Sequence, residues 1–100
     1  MAAQTAQVIF DEMMEHIKHE GSAFGSWYAG ITADIETRLQ GYHNVPYEDP
    51  WYIWREAVSA PEAQNVQKAL LEQGVDGRAG GGDDSSIFVY AYKKTLITIP

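Results

Sequence analysis

Residues 26–32 read Ser-Trp-Tyr-Ala-Gly-Ile-Thr, and they constrain the fold more than any other stretch of the chain. Aromatic and β-branched residues bounded by glycines favour an extended backbone, so the pattern predicts a strand over residues 24–31. Gly30 interrupts the run near its end. Thr32 or Asp34 then caps a helix that continues to about residue 40 and stops at Gly41. Ile35 and Leu39 lie four residues apart and give that helix a narrow apolar face. The result is a strand that breaks at a glycine and feeds a capped helix. That helix carries one arginine, Arg38, with His43 just beyond it.

The flanking segments supply the rest of a small layered domain. Val8, Ile9, Phe10, Met13, Met14 and Ile17 repeat at helical spacing, which predicts an amphipathic helix over residues 5–20. Glu12, Glu15, His16 and His19 fall on its polar face, where Glu12, His16 and His19, as three candidate ligands on one helix, are better read as solvated than as a metal site. Residues 43–50, with two prolines and an asparagine, read as irregular. Residues 52–58 read as a second strand, beside an aromatic cluster of Trp51, Tyr52 and Trp54. Ser59, Pro61 and Glu62 make a helix start with a serine cap, a first-turn proline and a capping-box glutamate. That helix runs through Ala63, Val66, Leu70 and Leu71 to Gly74. Residues 76–86 are rich in Gly and Asp with no apolar anchor, and read as a flexible loop. Asp83 and Asp84 lack the spacing of a calcium loop, and Gly80–Gly82 lack the Lys that would follow in a phosphate-binding loop. Residues 87–92 are the clearest strand, with a short closing strand over residues 96–99. The order α-β-α-β-α-β-β predicts one α+β domain over residues 1–100, with a small, mostly antiparallel sheet flanked by helices.

Charge and composition narrow the function classes. The chain has 100 residues, no cysteine and a formal charge of −7. Disulfides and thiolate metal sites are therefore excluded. No apolar run approaches membrane-spanning length, and the first residues lack a basic-then-apolar leader pattern, so a cytoplasmic protein is expected. The seven Lys and Arg are dispersed, and the overall field repels a polyanion. A basic protein partner or an isolated pocket fits this balance better than a broad nucleic-acid surface.

The run Tyr-Ala-Gly-Ile-Thr at residues 28–32, followed by Ile-Glu-Thr-Arg-Leu at residues 35–39, resembles the second half of the GIY-YIG endonuclease signature. The match covers about residues 27–43. The resemblance implies Tyr28 in general acid/base work, Arg38 and Gly30 at a phosphate, and His43 or Tyr42 as an auxiliary proton-transfer group. The chemistry is reasonable for these residue types. A glycine admits a phosphate where a side chain would block it. A phenol donates or accepts a hydrogen bond. A guanidinium grips a phosphate with two parallel bonds.

Three departures argue for a degenerate member. The family's opening Gly-Ile-Tyr strand does not precede Tyr28. A permuted order would supply it from residues 87–92, with Tyr90 or Tyr92 as the missing tyrosine. Ala63 to Leu70 fits the family's metal-helix pattern, but Gln67 stands at the glutamate position, and a neutral amide is a poor ligand for a hard cation. The acidic balance opposes DNA binding. Glu62 and Glu72 are the substitute carboxylates available, the first already explained as a cap.

Plainer readings stand beside these. Tyr28 can be core packing with its hydroxyl at the rim. Arg38 can pair with Asp34 on a solvated helix. Gly30 can relieve a bulge, and His43 can be a surface residue. Three classes of function follow. The first is a GIY-YIG-like, non-catalytic binding module that needs no cofactor. The second is a Mg- or Mn-dependent phosphodiesterase using Tyr28, Arg38, His43 and Tyr90. The third is an acidic interaction domain for a basic partner.

Overall fold

The computed structural model describes residues 3–20, 23–35, 52–77 and 86–94. Ile9, Met13 and Ile17 recur every four residues, and with Met14 they form the buried face of helix α1 (Ala6–His19). Strand β1 (Trp27–Thr32) follows a single 3-10 turn over Phe24–Ser26. The Ser26 N–H donates to Ala23 O at 2.9 Å, so the strand begins three residues later than its aromatic composition predicts. Strand β2 (Tyr52–Glu56) leads into helix α2 (Ala60–Glu72). The short strand β3 (Asp76–Gly77) and strand β4 (Phe88–Lys93) complete the described elements.

The four strands form one mixed sheet in the order β2-β4-β1-β3. β4 runs antiparallel to both β1 and β2, and β3 runs parallel to β1. The fold is α+β, with a mostly antiparallel sheet, as the element order predicts. Residues 87–92, proposed on sequence to pair with the strand around Tyr28, do so: Tyr28 faces Tyr92, and Gly30 faces Tyr90. Beyond Ile35, the expected helix to residue 40 lies outside the described residues, as do the closing strand over 96–99 and residues 78–85.

Two residues of the expected flexible loop belong to the sheet. Asp76 and Gly77 pair with Tyr28 and Ala29. A parallel edge pair is held by main-chain groups and needs no apolar alternation, so composition alone does not reveal it. Lys94 Nζ lies 2.9 Å from Asp76 Oδ2 and ties the strand to the end of β4.

Strand alternation divides the sheet into two faces. Trp27, Ala29, Ile31, Ile53, Val89 and Ala91 are buried together with the apolar stripes of α1 and α2. Fully buried Ile9, Ile17 and Leu70 each contribute roughly 1.5–3 kcal/mol relative to exposure. α2 ends in a reciprocal turn: the Gly74 N–H donates to Leu71 O at 3.1 Å, and the Val75 N–H to Leu70 O at 3.2 Å. Gly74 has φ +106, in the left-handed half of backbone space that favours glycine.

The helix starts are coupled. Ser59 Oγ accepts from the Glu62 N–H at 3.4 Å, as the capping motif predicts. The Glu62 carboxylate reaches elsewhere: its Oε1 accepts from the Ala6 N–H, the first helical donor of α1, at 3.2 Å. One carboxylate therefore serves two helix N-termini, whose unpaired donors and dipoles both favour negative charge. The polar flank of α1 is also partly engaged. Arg55 Nε donates to Glu12 Oε1 at 2.9 Å, and the His16 ring meets Trp27 edge-on at 5.7 Å. Of the polar residues expected in solvent, Glu12 and His16 therefore reach sheet residues, while Glu15 and His19 stay exposed.

Replacing Glu62 with Ala is expected to cost about 1 kcal/mol, because an α1 donor and an α2 dipole lose their partner. Glu62→Gln keeps the hydrogen-bond acceptor without the charge and is expected to fall between the two. Urea midpoints at constant m-value measure both.

Candidate functional site

The face of the sheet away from α1 and α2 is built from aromatic side chains. Tyr28 on β1, Tyr90 and Tyr92 on β4, and Tyr52 and Trp54 on β2 gather in one cluster with Ile35. The cluster follows directly from register. Tyr52, Tyr92 and Tyr28 form one row across three strands, and Trp54, Tyr90 and Gly30 form the next. Cross-strand neighbours on one face sit close enough for aromatic contact.

Three phenols pack in sequence. The Tyr28 and Tyr92 ring centroids are 5.4 Å apart at 32°, and the Tyr92 and Tyr90 rings stack at 6.5 Å and 10°. Tyr92 is fully buried and Tyr90 is 3% exposed, while Tyr28 is half-buried. Burial pushes the Tyr92 phenol well above its ordinary ionisation range, and the neighbouring Tyr28 and Tyr90 phenols add to the effect. Trp54 and Phe88 meet at 5.8 Å and 70° and border the row.

Gly30 earns its place by close approach. A Cβ at this position would stand 2.5 Å from Tyr90 Cζ and 2.9 Å from its Cε2, and would collide with the phenol oxygen. The β1–β4 ladder continues through Gly30 without interruption. The glycine therefore admits the Tyr90 ring rather than relieving a bulge.

Gln67 approaches β1 from the opposite layer. It is 4% exposed on α2, and its Nε2 donates to Ala29 O at 3.4 Å. A hard divalent cation takes carboxylate, carbonyl or water oxygens. Gln67 offers no carboxylate, and its amide N–H is committed to a backbone carbonyl. The residue at the metal position implied by the resemblance does not fit that ion. Glu62 is bonded to α1, and Glu72 is exposed at the end of α2. Among the described residues, no group of three His, Asp or Glu side chains could hold a metal ion.

Of the residues singled out on sequence, Tyr28, Gly30 and Tyr90 come together. Gln67 reaches the same strand from behind. Arg38, Tyr42 and His43 lie outside the described residues. Tyr92, named on sequence as the alternative to Tyr90, is the direct partner of Tyr28. Tyr52 completes its row, and only register places it there.

Comparison with known protein families, with curated proteins and with solved structures finds no match. Among the described residues, no helix is long and apolar enough to cross a membrane.

Gly30→Ala is expected to cost about 1–3 kcal/mol, because the new methyl meets a ring held by its stack. In a Tyr90→Ala background the same methyl is expected to cost at least about 0.5 kcal/mol less. Urea unfolding of the four proteins measures the coupling. Equal costs in both backgrounds would place the ring elsewhere.

Tyr92 also gives the fold an alkaline limit. Its folded ionisation lies above the unfolded value of about 10, so its contribution is complete below that pH and is lost as pH rises above it. Tyr92→Phe is expected to flatten the fall in stability above about pH 10. Melting temperature across an alkaline series, with phenolate absorbance in parallel, reads the difference.

Proposed function

We propose that this chain is a GIY-YIG-like module that binds a phosphate-bearing ligand without cleaving it. The observation that carries the reading is the pairing of β1 with β4, which sets Tyr28 against Tyr92 and Tyr90 against Gly30. In this reading β4 supplies, from late in the chain, the tyrosine strand that the family places first. The domain is then a permuted member. The resemblance makes Arg38 the phosphate anchor and His43 an auxiliary proton-transfer group.

Gln67 supports the non-catalytic side of the reading. A metal would stabilise the leaving oxygen of a phosphodiester, and the amide at this position donates to Ala29 O instead. Phenols can still donate hydrogen bonds to a phosphate, and a guanidinium can still hold one. Binding therefore outlasts the loss of the metal ligand. The formal charge of −7 restricts the contact to a compact anionic end rather than a long polyanion. The cytoplasm is the location that goes with this function.

A 5′-phosphorylated DNA hairpin is expected to bind in fluorescence anisotropy at low salt, with Arg38→Ala weakening it by about tenfold or more. Supercoiled plasmid with Mg or Mn is expected to stay intact. Metal-dependent nicking that Arg38→Ala abolishes would make the chain an active nuclease. Hairpin binding unchanged by Arg38→Ala would end the phosphate reading.

A further inference from the structure

The outer flank of α1 carries an open groove of about 670 Å³ that the phosphate reading does not use. Half-buried Phe10 and nearly buried Met14 form its apolar floor, and the end of α2 at Gln73 forms the far wall. Exposed Asp11 and Glu15 stand on the rim at one end, and exposed Lys18 and His19 stand at the other. The lining residues lie on α1 and at the C-cap of α2, on a different side of the molecule from the tyrosine face.

We propose that this groove docks a basic amphipathic helix from a protein partner. The floor would take apolar side chains along one face of that helix, the usual mode for a helix in a groove. Methionine adapts its shape to a variety of such side chains. Lysine or arginine on the incoming helix lies over Asp11 and Glu15. Lys18 and His19, in the last turn of α1, face the partner's neutral or acidic end and set its direction. The chain's charge of −7 attracts a basic protein over distance. The two-signed rim then selects one orientation at contact.

The test uses a fluorescein-labelled amphipathic 18-residue peptide of Leu and Lys, with a scrambled peptide of equal composition as control. The amphipathic peptide is expected to bind, and backbone amide shifts should concentrate on residues 10–19 of the full chain. Asp11→Lys with Glu15→Lys is expected to weaken binding by about tenfold or more, and Lys18→Glu to strengthen it. All three positions are exposed, so the variants keep the fold. Arg38→Ala is expected to leave this binding unchanged, which separates it from the phosphate pocket. Equal binding of the scrambled peptide, shifts centred away from α1, or no effect of the charge reversals would each overturn the proposal.

Discussion

The antiparallel ladder between β1 and β4 is the interaction on which every other element depends. β2 attaches to the free side of β4, and β3 attaches to the free side of β1. α2 packs on β1 through Gln67, Val66 and Leu70, and α1 reaches the same core through Ile9, Met13 and Ile17. Along the chain the two strands are separated by β2, α2 and β3. Closing that distance costs entropy before any contact is gained, so the ladder must be specified by many side chains at once. It is specified on both faces. Trp27, Ala29 and Ile31 bury against the helices while Tyr28 joins the tyrosine stack. A slip of one residue would exchange the two sets and lose both.

The helical layer has its own lock. α1 and α2 start side by side, and the Glu62 carboxylate bridges the start of one to the start of the other. Their dipoles point the same way, an arrangement that repels at each end. A carboxylate at the paired N-termini offsets that repulsion, and His16, Lys18 and His19 place basic groups in the last turn of α1. Polar groups at the ends thus let two apolar stripes lie together.

Much of the architecture was readable from local chemistry. The apolar period in α1, the Ser59 cap and the glycine at the end of α2 each act within a few residues, and each emerged as its residue types require. The strand at residues 87–92 is visible from its β-branched and aromatic residue types, and its pairing with β1 follows from the strand missing before Tyr28. β3 was not visible, because two residues held by main-chain bonds leave no side-chain pattern. The engagement of Glu12 and His16 was not visible either. A helical wheel shows which side is polar, but not how far a sheet extends beneath it.

The sequence by itself determined helices α1 and α2 and strands β1, β2 and β4, the apolar face of each helix, and the presence of a tyrosine–glycine strand. These depend on spacing along a single segment. Only the tertiary structure decided that Tyr28 stands against Tyr92, that the Tyr90 ring fills the space over Gly30, and that Glu62 caps a helix other than its own. Those contacts join residues far apart in the chain. Their geometry is set by strand register and helix packing, which no local pattern encodes.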